Sequence, residues 1–185
     1  MIKFSKKLII ANKESIICGW GLIQKELKKY RTEFIPVDSE HFSIWSVVKD
    51  YDKSDIEKII LTASGGPFLN KKINNNVKIN DAINHPNWKM GKKISVDSAT
   101  LMNKIFEIVE AKKIFDIEPK KFDILIHPKS YIHAIVKFKN GLIKIIAHDT
   151  NMQIPISNSI YMGSTNNKFI KSKKIDLNIL NSLNL

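Results

Sequence analysis

The chain has 185 residues, 43% of them hydrophobic, with 30 Lys and Arg against 18 Asp and Glu and a formal net charge of +12. That length and apolar share suit one domain with a real core. A single cysteine, Cys18, excludes a disulfide framework, and no apolar run is long enough for a membrane span or a signal peptide.

In chain order, a lysine-rich lead-in reaches a short strand at 8–11, followed by a helix over 15–29. Within that helix Cys18 reads as a buried small apolar residue. A strand at 33–37 runs into Asp38-Ser39-Glu40-His41. Residues i and i+2 of extended chain point the same way, so Asp38 and Glu40 can present two carboxylates to one point, although an ordinary surface turn reads alike. A helix over 41–48 and a strand over 58–63 lead to Ser64-Gly65-Gly66-Pro67-Phe68, a turn in which backbone can approach a ligand closely. Residues 70–90 read as loop with a short helix near 77–83.

The strongest helical pattern covers 98–115, with Asp97 or Ser98 as N-cap. Its spacing places Leu101, Met102, Ile105, Phe106, Ile108 and Val109 on a buried arc, and Thr100, Asn103, Lys104, Glu107 and Glu110 on the opposite one. Free N–H groups near Ser98, with Asn103 and Lys104 a turn away, make the helix start an anion site; the bland alternative is a solvated polar face. Glu107 adds a third oxygen donor to Asp38 and Glu40, and three carboxylates with no Cys or His cluster suit Mg²⁺ or Mn²⁺.

Beyond it come a strand at 122–126, a helix or turn near Ser130, and strands at 134–139 and 142–147 around the hairpin signal Lys139-Asn140-Gly141. The order predicts an α+β fold, a mixed β-sheet with helices packed on one face and a flexible flap beside the site. The lysine pairs are scattered and no aromatic-interleaved basic motif is present, so nucleic acid is not the expected partner; a basic nucleic-acid-binding domain is the remote alternative.

Six segments carry a resemblance: Ala11-Asn12-Lys13-Glu14-Ser15, Pro36-Val37-Asp38-Ser39-Glu40-His41, Ser64-Gly65-Gly66-Pro67-Phe68, His85-Pro86-Asn87-Trp88-Lys89-Met90-Gly91, Lys93-Ile94-Ser95-Val96-Asp97-Ser98-Ala99-Thr100 and Ile126-His127-Pro128-Lys129-Ser130-Tyr131-Ile132-His133. In this order the chain resembles the 1-deoxy-D-xylulose 5-phosphate reductoisomerase family over almost its whole length. The resemblance implies that Asp38, Glu40 and Glu107 bind a divalent metal. It implies substrate contacts by Lys13, Ser39, Glu40, Ser64, His85, Trp88, Ser98, Asn103, Lys104 and Glu107, with Ser64, Ser98, Asn103 and Lys104 on the phosphate. Catalytic roles fall to Lys13, Glu40, His85 and Glu107, and NADPH contacts to Asn12, Glu14 and Gly91. Residues 85–90 correspond to a mobile flap with Trp88 as its apolar lid.

The implied reaction is a metal-dependent rearrangement of 1-deoxy-D-xylulose 5-phosphate, then reduction by NADPH to 2-C-methyl-D-erythritol 4-phosphate in isoprenoid biosynthesis. A positive field suits a polyanionic cofactor and a sugar phosphate. A homodimer is expected, with the hairpin region contributing, in the cytoplasm of a bacterium or in a plastid-like compartment, without a membrane. The glycine-rich nucleotide turn of the family is missing and the chain has only 7 Gly, so most of the NADPH site is expected outside it. Residues 1–167 are expected to form the catalytic domain, with the flap at about 81–93, and 168–185 a connecting segment. Both an excerpt of a longer enzyme and a shortened protein fit. Activity of the chain alone is therefore in doubt, and a non-catalytic domain that keeps metal and sugar-phosphate binding is the alternative. Ile105 replaces the family's usual glycine and is expected to crowd the buried arc; Thr150-Asn151-Met152 replaces Pro-Asp-Met, and Lys129 and Tyr131 vary beside His133.

Overall fold

A computed structural model describes residues 1–71, 73–161 and 170; the expected connecting segment lies almost entirely outside them. The first unit is β1 (Lys7–Ile10), α1 (Lys13–Tyr30) and β2 (Glu33–Pro36). β1 and β2 pair in parallel, as the crossover through α1 requires. Ile16, Trp20 and Leu27 recur along one face of α1 and pack on Leu8, Ile10 and Phe34. Asn12 caps α1 by accepting from Ser15 N at 2.8 Å, and the helix stops at Arg31, which adopts the left-handed conformation (φ 54°). Cys18 lies exposed on α1, contrary to the sequence expectation.

The main sheet has the order β4-β3-β5-β6, built from β3 (Ile56–Ala63), β4 (Phe122–Ile126), β5 (Ile132–Phe138) and β6 (Ile143–Ala147). β3 runs parallel to β4 and antiparallel to β5, and β5–β6 is the expected hairpin, closed at Gly141 (φ 86°). Helix α2 (Ser39–Val48) and the C-terminal half of α5 (Met102–Phe115) cover one face. Ile44 and Val47 from α2, and Ala111 and Phe115 from α5, meet Ile59, Leu61, Ala134 and Val136 there. The fold is α+β with a mixed sheet. The remaining helices are α3 (Ile79–Ile83), α4 (Lys92–Ala99) and α6 (Gln153–Tyr161).

The region expected as one helix over 98–115 is two. Leu101 takes a left-handed conformation (φ 59°) between α4 and α5. Thr100 Oγ1 bonds back to the Val96 and Asp97 carbonyls, and Leu101 N donates to Ser98 O at 3.2 Å, closing α4. Ser98 therefore sits in the last turn of α4, where carbonyls and not N–H groups are free, and neither Asp97 nor Ser98 is an N-cap. Asn103 and Lys104 occupy the first turn of α5.

The faces of α5 are also largely the reverse of the amphipathic reading, although Ile108 of the expected buried arc packs half-buried against the core and Phe106 is half-buried. Lys104, Glu107, Glu110, Ala111 and Phe115 are buried, a stripe of helical period that starts charged and ends apolar. Leu101, Met102, Ile105 and Val109 face outward, and Ile105 is 49% exposed. The charged half of the stripe meets charges of opposite sign from α1 and α2, so ion pairing decides which way the helix turns. Ile105 consequently crowds nothing in the core. In urea denaturation, Leu61→Ala should cost about 2–5 kcal/mol, whereas Ile105→Gln should change stability by less than about 0.5 kcal/mol. Equal losses would contradict this orientation of α5.

Candidate active site

Many of the polar residues that matter follow the carboxyl ends of strands: Asn12 and Lys13 after β1, Asp38 to Glu40 after β2, Ser64 after β3 and His127 after β4. Ligand sites at such ends are general for sheets with parallel strands. Of these residues, Lys13, Asp38, Ser39, Glu40 and Ser64 surround a cavity of about 290 Å³, closed on its other sides by residues 85–91 and the start of α5.

Its floor is a knot of charges. Asp38 caps α2, its Oδ1 accepting from Glu40 N at 3.2 Å. Lys13 Nζ lies 3.4 Å from Asp38 Oδ2 and 3.4 Å from Glu107 Oε1, and donates to Asn103 Oδ1 at 2.6 Å. Lys104 Nζ pairs with Glu40 Oε1 at 3.0 Å and Glu107 Oε2 at 2.5 Å. Asn103 Nδ2 donates to Glu107 Oε1, and Ser39 Oγ to Glu40 Oε2. One oxygen from each of Asp38, Glu40 and Glu107 lies within 4.8 Å of the others.

Burial and the neighbouring Glu40 push the Glu107 carboxyl up to about 7, against the pull of Lys104 and Lys13. Burial disfavours charge on Glu40 too, but Lys104, His133 and the Ser39 hydroxyl together outweigh it and hold Glu40 well below the ordinary carboxylate range. Both lysines, although buried, are raised above their usual value, Lys13 chiefly by Asp38 and Lys104 chiefly by Glu107. Glu107 Oε2 has no well-directed hydrogen bond despite its ion pair with Lys104. Three hard oxygen donors, one under-satisfied and short of charge compensation, fit a divalent cation of the Mg²⁺ or Mn²⁺ type.

The flap is tied down by directed bonds. His85 Nδ1 accepts from Asn87 N and Trp88 N, both at 3.1 Å, which leaves the proton on Nε2. That Nε2–H donates to Ser64 Oγ at 2.8 Å, and Gly66 N donates to the same oxygen at 3.2 Å. The Ser64 hydroxyl proton is thus left to point elsewhere. Burial lowers the His85 pKa, in keeping with a neutral ring. Asn87 Nδ2 donates to Pro128 O at 2.6 Å and Ser130 Oγ at 2.9 Å, and Trp88 packs edge-on to His133. Gly66 (φ 70°) presses on α4 so closely that a Cβ would stand 2.6 Å from Ser98 O, and this contact brings Ser64 and Ser98 to one rim.

Of the residues singled out from the sequence, Lys13, Asp38, Ser39, Glu40, Ser64, His85, Trp88, Gly91, Ser98, Asn103, Lys104 and Glu107 all line the cavity. Asn12 and Glu14 do not; they sit at the start of α1, where Glu14 pairs with Lys93 of α4 at 2.9 Å. Missed by the sequence reading were His133, Met90, Met152 and Ile132, which also line it, and His41 and Glu110, buried behind it. His133 was within sight, since it ends a quoted motif and opens β5.

Fold and pocket define an α+β domain whose cavity is organised by buried carboxylates and ammonium groups. The family model of the 1-deoxy-D-xylulose 5-phosphate reductoisomerase C-terminal domain matches residues 34–115. The reductoisomerase of Pelagibacter ubique is 63% identical over all of this chain and 48% of its own length; that of Clostridium acetobutylicum is 46% identical over 84% of this chain and 41% of its own. A crystal structure of the reductoisomerase with NADPH, fosmidomycin and magnesium superposes with TM-score 0.82 at 36% identity, covering 96% of this chain and 46% of that one. The Zymomonas mobilis enzyme with NADPH gives 0.81 at 34%, covering 97% and 46%. The chain belongs to the 1-deoxy-D-xylulose 5-phosphate reductoisomerase family, and it spans about half the length of the curated relatives it matches.

Beside the cavity, His133 and His148 stack with ring centroids 3.7 Å apart. Burial and then the nearness of His133 lower the His148 pKa to about 4. A histidine depressed in the folded state contributes stability that is complete above its unfolded pKa, near 6.5, and is lost as pH falls towards 4. Thermal melts should therefore show His148→Phe losing less stability than the parent between pH 6.5 and 4; parallel pH profiles would contradict the assignment.

Proposed function

We propose that this chain carries the metal-holding and substrate-holding part of a 1-deoxy-D-xylulose 5-phosphate reductoisomerase acting in isoprenoid biosynthesis in a bacterial cytoplasm. The observation that carries the reading is the meeting of Asp38, Glu40 and Glu107 within 4.8 Å in a cavity rimmed by Ser64, Ser98, Asn103 and Lys104. Among the described residues, no helix is long and apolar enough to cross a membrane.

Asp38, Glu40 and Glu107 would hold one Mg²⁺ or Mn²⁺, which when bound polarises the ketone oxygen and a neighbouring hydroxyl of deoxyxylulose phosphate. With that charge supplied, Lys104 no longer has to neutralise Glu40 and Glu107 and is free to meet phosphate. Asn103 and the hydroxyls of Ser64 and Ser98 add neutral donors to the same anion. Lys13 stands among the carboxylates with Glu40 and Glu107, placed to steady charge and protons on the substrate oxygens. Binding the phosphate away from the reacting carbons fixes their orientation and favours the closed flap. His85 and Trp88 then keep water from the intermediate.

NADPH, when bound, supplies the hydride for the reductive step. Asn12 and Glu14 follow the carboxyl end of β1 in a parallel β-α-β unit, the strand end at which nucleotides bind in such folds. Gly91 opens α4 at the same side of the cavity, and a Cβ there would meet nothing within 4 Å. The isolated polypeptide should bind deoxyxylulose phosphate in the presence of Mn²⁺ yet oxidise NADPH negligibly, in calorimetry and absorbance assays respectively. Lys104→Ala should weaken substrate binding by about 1.5–3 kcal/mol through loss of a charge-assisted contact. Unchanged affinity in that variant would count against the phosphate assignment, and rapid NADPH turnover against the cofactor assignment.

The proposal includes a homodimer. β6 is an edge strand whose Ile143 and Ile145 are 53% and 50% exposed, an apolar row that a second copy can cover. Light scattering should give twice the chain mass, and Ile145→Lys should shift it towards monomer; a monomer at high concentration would refute this part.

A further inference from the structure

Behind the three carboxylates lies a pair of groups that the proposed metal site does not use. His41 is fully buried in α2 and Glu110 is buried on α5, and neither lines the cavity. His41 Nε2 donates to the Glu107 carbonyl oxygen at 2.9 Å. Its Nδ1 faces Glu110 Oε2 at 3.3 Å and Asp38 Oδ1 at 3.5 Å. Asp38 Oδ2, the other oxygen, faces Lys13. One imidazole thus touches the side chain of one proposed ligand and the backbone of another, across the gap between α2 and α5. From α5 the ring is held on two sides, by the Glu107 carbonyl at Nε2 and by the Glu110 side chain at Nδ1. Glu110 Oε2 and His41 Nδ1 are buried and neither makes a directed hydrogen bond among the described residues, so Glu110 Oε2 relies on the ring it faces, and the ring shares its Nδ1 side between Glu110 and Asp38.

We infer that Glu110 is a positioning residue for the metal site, acting through His41: it fixes the imidazole so that Asp38 keeps Oδ1 against the ring and presents Oδ2 to the cation. Outer carboxylate–histidine partners orient metal ligands in this way, and their removal commonly weakens metal binding 10- to 100-fold. The inference rests on the proposed metal assignment and extends it to two residues outside the cavity. His41, Glu110 and Asp38 also lie close enough to hold an ion of their own, an alternative that the test decides.

Mn²⁺ binding, followed by electron paramagnetic resonance, should be compared in the parent protein, Asp38→Asn, Glu110→Ala and Glu110→Gln, with inorganic phosphate binding measured at a Mn²⁺ concentration that saturates each variant. The expected result is one ion per chain, affinity lowered roughly 10- to 100-fold in Glu110→Ala, and most of it recovered in Glu110→Gln, which keeps an acceptor oxygen. Phosphate affinity should be unchanged in both Glu110 variants. Should Glu110→Ala fail to fold, Glu110→Asp withdraws the carboxylate by one methylene and should lower Mn²⁺ affinity in its place. Mn²⁺ affinity within twofold of the parent in the folded Glu110 variants, with Asp38→Asn impaired, overturns the positioning role alone. Two ions per chain, with only the second lost in Glu110→Ala, would make the pair a metal site instead. Asp38→Asn binding Mn²⁺ like the parent would remove the metal assignment and the inference with it.

Discussion

Glu107 is buried in the middle of α5, and a carboxylate there can exist only where cations and donors reach it. Lys13, Lys104 and Asn103 do so, and each comes with its own constraint. Lys13 stands at the first position of α1, so α1 must cross α5 at that level; Lys104 must also satisfy Glu40, so the start of α2 must lie on the other side. Asp38 completes the set by pairing with Lys13. Buried ion pairs of this kind add little net stability, because desolvation offsets attraction, but leaving one member unpaired is costly. Their effect is to select one relative placement of three helices and two strand ends. Leu101, Met102, Ile105 and Val109 face outward as a consequence.

That arrangement is also under tension of a chemical kind. Asp38, Glu40 and Glu107 bring three carboxylates against two lysines, and burial, with Glu40 and Asp38 close by, raises the Glu107 pKa. A pocket held together this way favours an added cation. The same lysines that steady it without metal are those that a phosphorylated substrate would engage, so filling the site and freeing its anion-binding groups are linked. The flap adds a second link, since His85 reports to Ser64 at the rim while Asn87 ties to the turn before β5. Motion of the flap therefore changes which groups Ser64 can contact.

Much of this was legible in the sequence where one local rule acted alone. The strand and helix bounds from residues 8 to 63 lie within two residues of those expected, because period, capping and turn chemistry agree there. Gly141 closes the expected hairpin for the same reason. The reading failed where tertiary charge overrode pattern. Two stripes of helical period exist on α5, one apolar and one mixed, and the usual preference for burying the apolar one lost to Lys13, Asp38 and Glu40, partners distant in sequence. The break at Leu101 carries no glycine or proline; it is closed by Thr100 Oγ1 on the Val96 and Asp97 carbonyls and by Leu101 N on Ser98 O, bonds that the helical period does not reveal. His41 and Glu110 escaped notice because single polar residues within helices reveal nothing of what lies opposite them.

All of this rests on a single cation occupying the space among Asp38, Glu40 and Glu107. The direct measurement is an anomalous difference map from crystals of this protein grown with Mn²⁺. The account predicts one peak with carboxylate oxygens of all three residues at roughly 2.0–2.6 Å, and the Lys13 and Lys104 ammonium groups drawn back from it. A peak elsewhere, or coordination that leaves out Glu107, would contradict it.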